Sequence, residues 1–129
     1  MVVFLTKRLE MRAHWHECRI ASQPRGELVA YSRDEENTVN IFNYKTFEIL
    51  HVVTVGDLNS VDAITVAATG VVYVASYKRG PVISFELTTG KMMRQIAGGN
   101  LVEMTANLET TPDAKYLVVN MYQNVEVWD

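Results

Sequence analysis

The chain has 129 residues, 48% of them hydrophobic and 21% charged, with a formal net charge of −3, the make-up of one ordinary soluble domain or a piece of one. The slight acidity offers no general attraction to nucleic acid, and no stretch approaches the roughly 18–20 apolar residues of a membrane span. Met1–Leu5 is too short for a secretory core, and the single cysteine, Cys18, cannot form an internal disulfide, which points to a reducing, cytoplasmic or otherwise intracellular setting.

Taken in chain order, apolar residues arrive in short β-branched and aromatic runs separated by Gly, Asn, Asp, Pro or Lys clusters. Val2–Leu5 and Leu9–Arg12 come first, then a strand over Glu17–Ala21. Further strands are expected at Leu28–Ser32, Thr38–Phe42, Ile49–Val55, Val61–Ala67, Val71–Tyr77, Val82–Leu87, Met92–Ala97, Leu101–Leu108, Tyr116–Tyr122 and Val125–Trp128. Val71, Tyr73, Ala75 and Tyr77 alternate with Val72, Val74 and Ser76, so both faces of that strand are largely apolar, as in a sheet covered on both sides. The turns carry hairpin chemistry: Ser22-Gln23-Pro24-Arg25-Gly26, Ala68-Thr69-Gly70, Thr88-Thr89-Gly90-Lys91 and Thr111-Pro112-Asp113-Ala114-Lys115.

The runs ending at Phe42, Phe85 and Trp128 repeat one pattern, an alternating apolar strand closed by an aromatic and a polar residue. Phe42 and Phe85 stand 43 residues apart, as do Phe85 and Trp128. A period in the low forties predicts the four-stranded blades of a β-propeller. The expected class is therefore all-β, with about three antiparallel blades, open or completed by another chain. Residues 1–14 are read as the outer strand of a neighbouring blade, 15–56 as blade 1, 57–99 as blade 2 and 100–129 as an incomplete blade 3. Three blades are too few for a familiar ring, so the frame implies a second copy, a further chain or a truncated product.

At these residues the chain resembles the WD-repeat β-propellers. Trp128-Asp129 is the name-giving dipeptide, and Ala13-His14 stands where that family has Gly-His. Ser22–Val29 and Thr110–Leu117 resemble its Ser-Pro-Asp-Gly turn. The resemblance implies a buried blade network involving His14, Ser32, Asp34, Phe42, Ser76, Phe85 and Trp128. No blade holds the whole set: Phe42 replaces Trp and has no N–H to donate, and Lys78-Arg79 replaces the Asp of the second repeat. Val72–Ser76 and Thr89-Gly90-Lys91 also resemble the repeats of bacterial surface, lactonase-like and quinoprotein propellers.

The search for chemistry is less productive. His14, His16 and Cys18 alternate, but same-face residues stand about 6.6–6.8 Å apart on a strand, which spreads the three too widely for one tetrahedral ion. Asp34-Glu35-Glu36 reads as a solvated turn, whereas Asp57, Asp62, Glu103 and Glu109 lie near inner strands and line a potential channel mouth. No Gly-x-Ser-x-Gly elbow occurs. No catalytic, metal or cofactor residue is therefore assigned. The resemblance implies a non-catalytic scaffold that binds other proteins. Tyr31, Arg33, Tyr77, Lys78, Arg79, Tyr122 and Gln123, at or after the ends of second strands, form the candidate contact patch, since aromatic and Arg side chains suit interface anchors. Ordinary turn residues are the plainer reading of the same positions, and a lactonase-like or quinoprotein-like enzyme is the alternative function.

Overall fold

The computed structural model describes residues 19–32, 37–56, 58, 60–76, 81–96, 105–121 and 125–129. Eleven β-strands and no helix occur among them. They are β1 (Arg19–Ser22), β2 (Leu28–Ser32), β3 (Thr38–Asn43), β4 (Ile49–Thr54), β5 (Ala63–Val66), β6 (Val71–Ala75), β7 (Val82–Glu86), β8 (Met92–Ile96), β9 (Thr105–Thr110), β10 (Leu117–Met121) and β11 (Val125–Trp128). Each pairs antiparallel with its sequence neighbour, giving sheets β1-β2-β3-β4, β5-β6-β7-β8 and β9-β10-β11. The fold is all-β, a set of three blade-like meanders that does not close into a ring among the described residues.

The repeat is visible in bond geometry. Asn43 N–H donates to Glu48 O at 2.9 Å and Phe47 N–H to Asn43 O at 2.8 Å; 43 residues later Glu86 N–H donates to Lys91 O at 2.9 Å and Gly90 N–H to Glu86 O at 2.8 Å. Tyr44 N–H to Glu27 O, 2.9 Å, has its counterpart in Leu87 N–H to Gly70 O, 3.0 Å. Both turns need one left-handed residue. Gly90 supplies it at φ 71° in the second sheet, whereas Phe47 is held at φ 63° in the first.

The sheets stack in chain order, with β5 lying beside both β1 and β9. Between the first and second sheets, Ala30, Val39, Ile41 and Val53 pack on Ile64, Val66, Val72, Val74, Ile83 and Phe85. Val55, Leu58 and Val61, from the segment joining the two sheets, complete this core. Between the second and third sheets the contact is smaller: Ala63, Ala75 and Val82 meet Leu108, Leu117 and Val119, with Tyr73 and Trp128 at the margin. Fully burying each Val, Ile or Phe contributes about 1.5–3 kcal/mol, so these two seams carry the fold. A further lock crosses the first seam, where His51 Nε2 lies 2.7 Å from Thr88 O. A Cβ added at Gly90 would stand 3.2 Å from Val53 Cγ2, so the β7–β8 turn approaches β4 closely.

Candidate functional site

In all three sheets the first strand ends in the turn to the second, so those turns gather at one end of the molecule and the strand starts at the other. At the start end, a concavity of about 470 Å³ is lined by Arg19 and Ile20 of β1, Asp62 to Ile64 at the entry to β5, Asn107 of β9 and Asn120 of β10. At the turn end, a second concavity of about 640 Å³ is lined by residues that include Arg25, Thr65, Val66, Glu109 and Pro112. Asp62 and Glu109, two of the carboxylates expected at a channel mouth, thus lie at opposite ends of the inner-strand surface. Asp57 and Glu103 lie outside the described residues.

Asp62 is held by its own sheet. Its N–H donates to Ala75 O at 2.9 Å. Its Oδ2 accepts from Ser60 Oγ at 2.8 Å and from Ser76 Oγ at 3.3 Å, with the two hydroxyls 3.3 Å apart. Register explains the cluster: Ala63 pairs with Ala75, which brings the residue before one strand beside the residue after the other. In this arrangement the carboxylate takes the hydroxyl protons as a bond acceptor, which ties the start of β5 to the end of β6. The one described histidine, His51, is committed to the turn at Thr88. Among the described residues no group of three or more His, Cys, Asp or Glu side chains could hold a metal ion.

Ser32 and Ser76, both implied members of a blade network, behave differently. Ser32 Oγ donates to Val61 O at 3.0 Å, crossing to the segment that leads into the second sheet. Ser76 Oγ donates to Asp62 Oδ2, at the entry to the second sheet. They are 44 residues apart rather than 43, one step out of the strand alternation. Phe42 and Phe85 occupy matching third-strand positions opposite Val29 and Val72, and both are buried. Trp128 is half-buried at the second seam and donates its indole N–H to Glu126 Oε2 at 3.0 Å. His14 and Asp34 lie outside the described residues.

Of the expected contact patch, the described residues include only Tyr31. It is 6% exposed and packs with Val29 and Phe42. Its ring meets Phe42 edge to face, with centroids 5.6 Å apart and planes at 72°. Tyr31 is therefore a packing element of the first sheet rather than a projecting anchor, because its strand position turns the side chain onto the sheet face. Arg33, Tyr77, Lys78, Arg79, Tyr122 and Gln123 lie outside the described residues.

A different pocket was not foreseen from sequence. About 290 Å³ in volume, it opens at the second seam and is lined by residues that include Tyr73, Arg94, Lys115, Tyr116 and Trp128. Three aromatic rings and two cations converge there from β6, β8, the β9–β10 turn and β11. The 43-residue spacing of Tyr73 and Tyr116 does not announce it, because register makes Val118, opposite Val127, the counterpart of Tyr73, opposite Ser84. The turn below the pocket is ordered by Asp113, whose Oδ1 accepts from Thr111 Oγ1 at 2.6 Å and from Lys115 N–H at 3.1 Å. The Thr111 hydroxyl first, then the Lys115 amide, holds the Asp113 carboxyl below its ordinary range.

No family model matches the chain, and none of the curated proteins does. Among solved structures it is similar to a chain of hydrazine synthase from Kuenenia stuttgartiensis, at a TM-score of 0.73 and 19% identity. The likeness covers 85% of this chain and 31% of that one, so this chain spans about a third of the length of the solved chain. Matching solved chains number 497, which marks the arrangement as a widely used scaffold and leaves function to the site residues.

Proposed function

We propose that this chain is a non-catalytic, intracellular protein-interaction scaffold of the WD-repeat kind, with the pocket at the second seam as a principal contact. The observation carrying this reading is the convergence of Tyr73, Tyr116 and Trp128 with Arg94 and Lys115 around one concavity. Aromatic and Arg side chains fixed on sheets are the residue types that dominate binding energy at interfaces, because they bury large areas at low entropic cost. The two cations favour a peptide segment carrying carboxylates. Arg33, Tyr77, Lys78, Arg79, Tyr122 and Gln123, at or after the ends of second strands in the sequence, remain a separate candidate contact in the same reading.

The test is affinity capture from a cell extract with the wild-type chain and with the Arg94→Glu, Lys115→Glu double variant. A defined partner retained by the first and lost by the second, at unchanged far-UV circular dichroism, supports the reading. Partners captured equally by both would overturn it. A lactonase-like or quinoprotein-like enzyme is the competing reading, drawn from the resemblance of Val72–Ser76 and Thr89-Gly90-Lys91 to the repeats of such propellers. Stoichiometric metal or quinone on the purified protein would favour that alternative.

A further inference from the structure

The outer edges of the first two sheets differ in what guards them. β4 and β8 are the last strands of their sheets, so each presents a row of main-chain N–H and C=O groups that no other described strand takes up. Such a row is a template for a further strand, and proteins ordinarily blunt it with charge, proline or a bulge. Both strands have a bulge near their start, facing Ile41/Phe42 in one sheet and Ser84/Phe85 in the other. Beyond it β8 is also guarded by charge, with Lys91 at its entry and Arg94 within it. β4 has no such guard. From Ile49 to Val55 the chain reads Ile-Leu-His-Val-Val-Thr-Val, mostly β-branched and without Asp, Glu, Lys, Arg, Pro or Gly. That is the composition of segments that add strand to strand.

Register fixes which groups this edge offers. Val55 N–H donates to Asn37 O at 2.7 Å, so residue 55 belongs to a bonded pair on the β3 side. In an antiparallel ladder bonded and unbonded pairs alternate, which makes Val53–Val39 and His51–Ile41 bonded, and Thr54–Thr38 and Val52–Asn40 unbonded. The far side of β3 agrees. Tyr44 N–H donates to Glu27 O at 2.9 Å, so the same alternation turns Asn40 toward Tyr31 of β2 and away from β4. The main-chain N–H and C=O of Val52 and Thr54 therefore point off the edge of the sheet.

The side chains divide in the same way. Val53 and Val55 are buried in the first seam, and His51 reaches Thr88 O across it, so β4 is anchored through one face. Ile49 and Val52 are 54% and 59% exposed. The open main-chain groups are thus flanked by apolar side chains in water, on a strand that the seam holds in place.

We propose that β4 is a strand-addition edge whose occupant is β4 of a second copy, antiparallel across a two-fold axis, so that two four-stranded sheets join into one. The edge complements itself. With the axis at Val53, Val52 stands opposite Thr54 of the second copy and Thr54 opposite its Val52, and each pair exchanges both main-chain bonds. No Asp, Glu, Lys or Arg along the strand meets its own kind, whereas a β8 pairing would bring Lys91 and Arg94 up to their own copies. An isologous contact of this sort uses both edges and stops at two chains. The proposal stands apart from the scaffold reading, which concerns the pocket at the second seam.

The experiment is sedimentation and native mass spectrometry of the chain over a concentration series, with amide exchange followed by NMR at its two ends. The expected species has twice the mass of the chain, and in it the Val52 and Thr54 amides exchange more slowly than in the dilute chain. Val52→Pro removes an N–H that β3 does not use, and proline is tolerated at such edge positions. Its far-UV circular dichroism is expected to be unchanged and the doubled species to be lost. Val52→Thr keeps the main chain and the β-branch and is expected to keep the doubled species. A chain that stays monomeric throughout, including one that pairs only with a strand of another protein, would overturn the proposal. So would a doubled species that folded Val52→Pro still forms, or one whose Val52 and Thr54 amides exchange as fast as in the dilute chain. Should Val52→Pro not fold, the exchange of the unsubstituted chain decides alone.

Discussion

The second and third sheets carry the same strand pattern and live in different surroundings. The second is packed on both faces, so Phe85, Val82 and Ser84 of β7 are all shielded from water. The third is packed on one among the described residues, so Leu117 and Val119 are buried while Val125 and Val127 are exposed. The contrast teaches that burial here belongs to the stack of neighbours. A strand with two apolar faces is stable only where both are covered, since each exposed valine forgoes most of its transfer free energy.

The largest effect that would sharpen this contrast is expected from Phe85→Ala. Its ring is fully buried in the first seam, so truncation costs about 3–5 kcal/mol, much of a small domain's stability, in a urea titration. The paired test is Val82→Ala against Val125→Ala, positions one period apart, read on dilute monomeric chain. The first is expected to cost about 2 kcal/mol and the second less than about 0.5 kcal/mol; equal losses would break the comparison.

A smaller contrast separates the repeated turns of the first and second sheets. Gly90→Ala introduces a left-handed residue and a methyl 3.2 Å from Val53 Cγ2, at an expected cost of about 1–3 kcal/mol. Phe47→Gly relieves about 1–2 kcal/mol of left-handed strain at about 0.5–1 kcal/mol of added chain entropy, so thermal unfolding is expected to show a gain of about 0.5 kcal/mol. The smallest effect belongs to the third sheet's turn. Because Asp113 is held below its ordinary value, its contribution is present at neutral pH and is lost as pH falls through its folded midpoint. Carboxyl NMR is expected to place that midpoint below the usual aspartate range, with Thr111→Ala moving it upward; an unmoved midpoint would remove the hydroxyl as the cause.

Much of the architecture could be read from spacing and alternation. Strand β11 falls at Val125–Trp128 as expected, and β8 and β3 differ by one residue at one end. The first strands of the sheets were harder to place: the run expected to end at Leu108 continues to Thr110, and its residues 101–104 lie outside the described residues. Such strands carry polar side chains toward the concave surface, as Asn107 and Glu109 do, which erases the apolar signal at one position in two. The Ser60–Asp62–Ser76 cluster was invisible for another reason: it depends on the pairing of Ala63 with Ala75, and no fixed spacing announces it. Left-handed Phe47 and Ala114 left no trace either, since neither is the glycine that usually marks such a turn.

Each sheet takes all its described pairings from one continuous stretch, with every strand bonded to the next in sequence. Opening one sheet therefore need not break a backbone hydrogen bond in another, and the sheets are joined chiefly by side-chain seams. In amide-exchange terms this makes three cooperative units in series, coupled only to nearest neighbours. The second, clamped from both sides, exchanges slowest, and the third, held by the smaller seam, opens first. Such local pairings also shorten the chain loops that must close during folding, so each hairpin stack can assemble before the seams between them form.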